Sequence, residues 1–487
     1  MQNTYNQAFT ENGAITNKTS FNANLDLFAL AGSKRGQEDQ INRMFSAAYK
    51  ENPLTALKIA FYLRDIRGGQ GERTTFRTIL AWLKKHDVAT FNKIVRLVPE
   101  YGRWDDILAF VDNTTVQDLV QMQLFNDIES DYPSLLAKWL PSANTSSKDT
   151  VQLAYKWMNV LHMNAATYRK ILVALRKKIV LVESLMSRKA FSEIDYSKIP
   201  SRAGLIYRKA FSKNDSTRYG EYLNAVKSGE KKINAATLYP YDLVGKYIDG
   251  MQYGRAPETD MTIEAQWKAL PDYAKDSTKN ALVMCDVSGS MFQAVAGVEN
   301  MPIKISVSLA IYIAERNNGM FKNNFITFSA APQLITLRGY TLAENVREVF
   351  AAGVGYNTNI QAAFDMLLGH AVRNHVPVEE MPSTIYIVSD MEFDSSSIAG
   401  RKESNFDTIR RKFNAAGYQM PMLVFWNVAS RNTNTPITQD DRGYMVSGAS
   451  PSIFKATINA TAVTAVDLML EVLNASRYDL VVAAYNS

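Results

Sequence analysis

The heptapeptide CDVSGSM, residues 285–291, decides the fold of the second half of the chain. It overlaps the apolar run ALVMCDV (281–287), whose composition predicts a buried strand. Three similar runs lie at 325–329, 385–391 and 422–428, and amphipathic helical patterns separate them. Strands that alternate with helices and are apolar almost throughout predict a doubly wound parallel sheet covered on both faces.

Oxygen-bearing side chains stand at alternate positions of this heptapeptide. Asp286, Ser288 and Ser290 directly follow a predicted strand, and open α/β sheets bind ligands at the carboxyl ends of their strands. Hard oxygen donors with few carboxylates suit Mg²⁺, which keeps several waters and prefers octahedral geometry. We expect a second carboxylate from another strand end, where Asp390 closes the run IYIVSD. Thr358 offers a further hydroxyl at the start of a predicted helix.

This pattern resembles the metal-ion-dependent adhesion site (MIDAS) of von Willebrand factor A (vWA) domains. The resemblance implies one divalent cation, Mg²⁺ or another such as Mn²⁺, held by three segments in the order found here. The residues that match the family's ligands are Asp286, Ser288, Ser290, Thr358 and Asp390.

The sequence departs from that family pattern in two places. Met391 follows Asp390 where the family has glycine, and Asn357 competes with Thr358 as a ligand. A purely structural interpretation also exists, in which Asp286 caps a helix and the two serines form turns. The cysteine and the methionine that flank the element are expected to pack in the core.

Residues 40–250 predict one helix after another. Apolar residues recur there at three- and four-residue spacing, and short turns such as RGGQGER (67–73) and YGRWDD (101–106) separate the runs. This succession is typical of an α-solenoid or an irregular helical array, although no strict period is present. A basic pattern over 168–191 predicts one long helical stretch.

A chain of 487 residues is long enough for at least two domains. We therefore expect an α plus α/β protein, with a helical array followed by a vWA-type sheet domain. The expected divisions are an N-terminal segment 1–35, a helical domain 36–250, a linker 251–279 and the vWA domain 280–487.

Composition narrows the class of protein further. Apolar residues make up 46% and charged residues 21%, which excludes a disordered or collagen-like chain. The lone Cys285 excludes an internal disulfide. The first residues lack the charge and apolar pattern of a secretory leader, and no apolar run approaches membrane-spanning length. We expect a soluble, cytoplasmic protein that does not bind membranes.

Positive charge is concentrated in the first half of the chain. Residues 1–250 carry 35 Lys and Arg against 25 Asp and Glu, whereas residues 251–487 carry 19 against 23. Residues 151–250 alone hold 18 against 8. Such an excess predicts a polyanion partner, with ordinary solvated helix faces as the alternative. The candidate RNA-binding residues are Arg169, Lys170, Arg176, Lys177, Lys178, Arg202, Arg208 and Lys209.

Aromatic residues are interleaved with these cations. Aromatic rings stack on unpaired bases, so they favour RNA as the polyanion. The alternative is that the rings belong to the core. The residues concerned are Tyr168, Tyr196, Tyr207, Phe211 and Tyr219.

A helical array that contains a YGRWDD-like turn and precedes a vWA domain resembles the Ro ribonucleoprotein (TROVE-plus-vWA) family. The stretches RDIRGGQGER, SRAGLIYRKAF and SDMEFD are more similar to an uncharacterised relative found in plants, fungi and viruses. The resemblance implies an arc or ring of HEAT-like repeats closed by the vWA domain, with noncoding or misfolded RNA as partner. No RNA-contacting residue is transferred by it.

The two turns themselves are better explained as structural. RGGQGER lacks the ending and the preceding strand of a phosphate-binding loop, so we expect a helix-joining turn held by Arg–Glu pairs. In YGRWDD we expect Trp104 in the core, Gly102 as a helix cap, and Arg103 paired with Asp105 or Asp106.

These patterns favour a non-catalytic RNA-binding protein with a metal-binding vWA domain. The alternative is a protein-interaction scaffold whose metal captures an acidic residue of a partner, without RNA. A metal-dependent phosphoryl hydrolase would require a denser carboxylate cluster, such as Asp-x-Asp. None of the four histidines lies in a motif for a base or a ligand.

Overall fold

The computed structural model describes most of the chain. In the described part we find no helix whose length and apolar character would carry it through a bilayer. The described residues are 4–13, 15–179, 181–252, 258–275, 277, 279–293, 302–352, 360–393 and 405–487.

The first half forms the predicted helical array. Asn52 caps one of its helices by accepting the backbone N–H of Thr55 at 3.0 Å, and Pro53 occupies the first helical position. The helices, named α1 to α15, span Ala23–Leu30, Glu38–Glu51, Pro53–Arg64, Arg73–His86, Val88–Ile94, Val98–Tyr101, Thr114–Glu129, Leu136–Trp139, Lys148–Val160, Ala165–Ile179, Val182–Ser187, Ser201–Asn214, Ser216–Lys227, Pro240–Gln252 and Met261–Lys268.

One expectation about this half needs correction. The basic stretch 168–191 is not one helix, because α10 ends at Ile179 and α11 begins at Val182. The two helices also join different cores, since Leu172 and Leu175 pack in the main core and Val182 packs in a smaller one. The expected domain bounds stay predictions; α1 lies within the segment 1–35, and α15 lies within the segment 251–279.

The second half is a six-stranded sheet with helices on it. Two short strands near the N-terminus, Gln7–Phe9 (β1) and Ile15–Asn17 (β2), form a separate antiparallel hairpin. The strands β3 to β8 span Ala281–Cys285, Asn324–Thr327, Leu334–Thr336, Thr384–Ser389, Met422–Asn427 and Tyr444–Ser447. The helices α16 to α22 span Pro302–Arg316, Leu342–Ala351, Ile360–Arg373, Asn405–Ala415, Ser452–Ile458, Ala465–Leu473 and Asp479–Asn486.

The order of the strands is β5-β4-β3-β6-β7-β8, and only the pairing of β4 with β5 is antiparallel. The strand order reverses between β3 and β6, which is where doubly wound sheets bind ligands. Every residue of β3 and β6 is buried, as the continuous apolar runs predicted. The α plus α/β fold class is therefore confirmed. The edge strand β5 and the strand β8 were not predicted, because their runs are short.

The YGRWDD turn is structural, but its pairing differs from the expectation. Gly102 ends α6 and Trp104 is buried, as predicted. The buried Asp106 accepts hydrogen bonds from Arg64 at 2.7 Å and from Arg77 at 2.8 Å. Arg103 contacts Asp106 through its backbone N–H, at 2.9 Å from Oδ2, whereas its guanidinium lies over the ring of Trp139, 5.0 Å from the centroid.

The RGGQGER turn joins the two halves of the protein. The turn makes two Arg–Glu pairs, Arg67 with Glu100 and Glu72 with Arg35. In each pair the partner lies outside the turn. The hydroxyls of Ser450 and Ser452 both donate to the carbonyl oxygen of Gly69, at 3.0 and 2.8 Å. Residues of the sheet domain therefore cap this turn.

An ion pair between a partly exposed arginine and a buried aspartate lies beside that turn. Arg477 donates to both carboxylate oxygens of Asp65, at 2.9 and 3.0 Å, and Asp65 is fully buried. The same guanidinium lies over the ring of Tyr101. Arg477 thus ties the start of the array to the end of the sheet domain.

The far end of the array returns to the same place. Helix α14 packs against α16 and α17 of the sheet domain. The hydroxyl of Tyr239, just before α14, donates to the carbonyl oxygen of Gln70 at 3.1 Å. Both ends of the array thus contact the sheet domain and each other.

Removal of Arg477 tests the connection between the halves. We expect Arg477→Ala to lower the free energy of unfolding by about 3 kcal/mol, because Asp65 would remain buried without its partner. Arg67→Ala is the matched control, since its exposed pair with Glu100 is worth at most about 1 kcal/mol. Urea unfolding followed by tryptophan fluorescence measures both variants. Equal effects of the two substitutions would contradict the assignment.

Candidate metal centre

The site lies where β3 and β6 end, on either side of the point at which the strand order reverses. Asp286 directly follows β3 and Asp390 directly follows β6. Their side chains are nearly completely buried, with 1% and 3% of each residue exposed. The parallel pairing of the two strands brings together two carboxylates that are far apart in the sequence.

Hydrogen bonds fix the orientation of Asp286. Its Oδ1 accepts the backbone N–H of Ser288 at 2.9 Å, and its Oδ2 accepts the hydroxyl of Ser389 at 2.7 Å. The first bond forms a local turn at Asp286, but Asp286 does not cap the short helix that follows, because the N-cap of that helix is Ser288. The second bond comes from the residue before Asp390 and joins the two strand ends.

The electrostatics of the site favour a cation. Burial, and after it the charge of Asp390, raises the pKa of Asp286 from 3.8 to about 6. Asp390 Oδ1 accepts the backbone N–H of Glu392 at 3.3 Å. Its Oδ2 is buried and accepts no hydrogen bond from the described residues. A buried oxygen of this kind is available to a ligand.

The described residues fit a hard divalent cation. Adjacent ligands of an octahedral Mg²⁺ with bonds of about 2.1 Å stand about 3.0 Å apart, and the Oγ atoms of Ser288 and Ser290 are 3.0 Å apart, which is also a hydrogen-bond distance. These hydroxyls, with Asp286 and the unpaired Oδ2 of Asp390, form an all-oxygen set. In the described part of the chain, no three His, Cys, Asp or Glu residues cluster as a metal site.

Two of the predicted candidates cannot be placed. Thr358 and its competitor Asn357 lie outside the described residues. The departure at Met391 has a clear local consequence, because its φ of 64° lies in the left-handed region that favours glycine. Cys285 and Met291 are buried, as expected for packing residues.

Sequence reasoning missed four residues around the site. Ser389 bridges the two aspartates, and Glu392 lies two positions after Asp390. Arg431 follows β7, and its Nη2 lies 3.5 Å from Asp390 Oδ2. Glu11 of the N-terminal hairpin pairs with Arg431. The strand-end position was a usable signal for Ser389 and Arg431, whereas nothing in the sequence pointed to Glu11.

The structure separates the candidate RNA-binding residues into two groups. The first group is exposed and has no partner among the described residues. It consists of Arg169, Lys170, Lys177 and Lys209. The others are engaged within the protein. Arg176 donates to three oxygens of segment 137–142, Lys178 to the carbonyl of Ser130, Arg202 to Asp242, and Arg208 to Asp260.

The interleaved aromatic residues mostly form cores and do not line a surface. Tyr196, Phe211 and Tyr219 pack with one another in the smaller core. Tyr168 packs in the main core and donates to the carbonyl of Pro141. Tyr207 is partly buried against the smaller core. These rings therefore belong to the hydrophobic cores, which was the alternative to a base-stacking surface.

The fold and the site together define a class of protein, namely a helical array joined to a parallel-rich α/β sheet domain with oxygen-bearing side chains at its strand ends. Family models match almost the whole chain. The model described as "Domain of unknown function (DUF2828)" matches residues 10–125 and 136–279, and "Domain of unknown function (DUF7788)" matches residues 280–477. The chain belongs to the DUF2828 family.

The chain is also similar to a viral protein and to a solved bacterial structure. An uncharacterized protein of Acanthamoeba polyphaga mimivirus is 31% identical, over 96% of this chain and 87% of that protein. The predicted similarity to an uncharacterised viral relative is thus confirmed. The solved Ro (RSR) protein of Deinococcus radiodurans aligns with a TM-score of 0.46 and 14% identity, over 90% of this chain and 99% of that chain. Similarity at that level says nothing about function.

The raised pKa of Asp286 predicts how stability depends on pH. In metal-free protein, the free energy of unfolding should fall as the pH rises from about 4 to 6, because the folded state there holds a proton that the unfolded state releases. Asp286→Asn should therefore be more stable than wild type at pH 7.5 in EDTA, by about 2 kcal/mol. At pH 4 the two should be similar.

Urea unfolding at both pH values measures this difference. Asp118→Asn is the control, because Asp118 is exposed on α7 and has no described partner. A destabilised Asp286→Asn at pH 7.5 would show that the charged carboxylate is held favourably without a metal.

Proposed function

We propose that the protein is a non-catalytic RNA-binding protein whose helical array binds phosphates and whose sheet domain holds a divalent cation. A stripe of exposed cations on α10 carries this proposal. Arg169, Lys170 and Lys177 share one side of the helix at 3.6 residues per turn. They are exposed and have no acidic partner in the described part of the chain.

Other basic residues of the helical half add to the positive charge of this half. Residues 151–250 hold 18 basic groups against 8 acidic groups. Lys209 and Lys213 on α12 are also exposed and have no described partner. A surface with this much uncompensated positive charge attracts a polyanion, and the release of counterions makes the attraction sensitive to salt.

The buried aromatic side chains define the expected mode of recognition. The rings of the smaller core are not available to stack on bases, so phosphate contacts should supply most of the affinity. Phosphate contacts position a nucleic acid but do not read its sequence. The protein should therefore prefer RNA by shape and charge density. The class that the Ro-like motifs imply is noncoding or misfolded RNA.

Charge reversal tests the stripe. We expect the triple variant Arg169→Glu, Lys170→Glu, Lys177→Glu to bind a structured RNA hairpin at least tenfold more weakly at 100 mM salt. The slope of log affinity against log salt should become less steep by about 3, since three phosphate contacts are lost. Fluorescence anisotropy over a salt series measures both quantities.

The control variant reverses three exposed cations of the sheet domain, Lys322, Arg373 and Lys455, which have no described acidic partner. It should bind the hairpin like wild type. Equal losses in the two triple variants would mean that net charge alone drives binding. An unchanged affinity in the α10 variant would contradict the proposal.

The metal centre supports a second candidate function, a scaffold that captures an acidic residue of a protein partner without RNA. The unpaired, buried Oδ2 of Asp390 is the observation that favours it. The cation would be held by Asp286, Ser288, Ser290 and Asp390, and it would supply an open coordination position for a carboxylate. In this function, affinity for the partner would require the metal and show little dependence on salt.

Removal of one carboxylate tests the metal centre itself. We expect Asp286→Ala to bind Mn²⁺ at least tenfold more weakly than wild type in titration calorimetry, because a ligand and half of the site's charge are lost. Asp118→Ala, at an exposed position of α7, should bind like wild type. Undiminished Mn²⁺ binding by Asp286→Ala would place the ion elsewhere.

A further inference from the structure

The N-terminal hairpin lies against the carboxyl ends of the strands, where the candidate metal centre is. Asn17 and Thr435 exchange two backbone hydrogen bonds, at 3.1 and 2.8 Å. The hydroxyl of Thr10 donates to the carbonyl of Phe393 at 2.6 Å, and the amide of Asn12 donates to the carbonyl of Glu392 at 2.7 Å. The hairpin is therefore attached to the segments that follow β6 and β7.

The turn of the hairpin directs Glu11 towards the centre. The backbone N–H of Glu11 donates to Glu392 Oε2 at 2.7 Å, which fixes the turn beside the end of β6. The carboxylate of Glu11 accepts a hydrogen bond from Arg431 Nη1 at 2.6 Å. The other terminal nitrogen, Nη2, lies 3.5 Å from Asp390 Oδ2 and donates to the carbonyl of Ser290 at 3.4 Å.

A single guanidinium thus separates the Glu11 carboxylate from Asp390. Arg431 brings one positive charge to a place where Glu11, Asp390 and Glu392 bring three carboxyl groups. Asn432 donates to the second oxygen of Glu392, at 2.7 Å. Glu392 is therefore held on both oxygens, whereas the described contacts of the Glu11 carboxylate come from Arg431 alone. Glu11 is the group that is able to change partners.

We propose that Glu11 is an internal ligand of the metal centre, the carboxylate that this chain itself offers to the divalent cation. The inference rests on the metal binding proposed above. Arg431 and the cation compete for Asp390 Oδ2, and Glu11 follows the stronger positive charge. The hairpin then acts as a strap across the carboxyl edge of the sheet.

An internal ligand affects how strongly a carboxylate of another molecule binds the cation. A tethered carboxylate acts at an effective concentration in the millimolar range. A free carboxylate must therefore exceed this concentration, or bind elsewhere as well, to replace Glu11. The hairpin gives the metal centre a built-in selectivity against weak acidic ligands.

Mn²⁺ titration of the full chain tests the proposal. Titration calorimetry compares wild type, Glu11→Gln and the control Glu129→Gln, which changes an exposed residue at the end of α7. We expect Glu11→Gln to bind Mn²⁺ about tenfold more weakly and Glu129→Gln to bind it unchanged. Arg431→Gln should bind Mn²⁺ about tenfold more tightly, because a competing positive charge is removed.

Hydrogen exchange of the amides in residues 4–13 gives a second, independent measurement. Mn²⁺ should slow exchange in wild type and in Glu129→Gln but leave it unchanged in Glu11→Gln. Thermal unfolding without metal checks that the nearly isosteric Gln variant is folded.

The outcomes separate the two proposals. Wild type that binds Mn²⁺ with no effect of Glu11→Gln on affinity or exchange would overturn this inference and leave the metal centre intact. Wild type that fails to bind Mn²⁺ would overturn both. A weaker Arg431→Gln would show that Arg431 supports the site instead of competing for it, and it would overturn the exchange of partners.

Discussion

Parallel pairing of β3 with β6 is the constraint on which the metal centre depends. Cys285 pairs with Val388, so the two strands end together, and the backbone N–H of Asp286 continues the ladder by donating to Val388. A slip of two residues would move Asp390 by about 7 Å along the strand. A slip of one would turn its side chain to the other face of the sheet. The complete burial of both strands prevents either slip.

That arrangement requires two carboxylates to be buried side by side, which is unfavourable without a cation. The hydroxyl of Ser389 and the backbone N–H groups of Ser288 and Glu392 offset part of the cost. The positive charge of Arg431 offsets a further part of this cost. Its Nη2 lies 3.5 Å from Asp390 Oδ2 and makes no hydrogen bond to it. Our proposals for the metal and for Glu11 both follow from this incomplete compensation.

The connection between the halves places this centre beside the start of the chain. Arg477 and Asp65 join the first helices to the end of the sheet domain, and α14 returns the array to the same domain. The N-terminal hairpin adds a further contact, since it lies across the carboxyl ends of the strands. The exposed stripe of α10 belongs to the helical array, so the proposed nucleic-acid binding and the proposed metal binding involve different elements of the fold. Variants of one are therefore informative controls for the other.

The sequence by itself determined the fold class, four of the strands of the sheet and the strand-end positions of Asp286 and Asp390, because periodicity and strand-end position are local properties. Only the tertiary structure decided what the polar and aromatic side chains of the helical half contact. Tyr196 and Phe211 look like a stacking surface in the sequence but pack in a core, and the guanidinium of Arg103 lies over the ring of Trp139. Glu11 meets Glu392 across 381 positions, and no local pattern encodes a contact between segments so far apart.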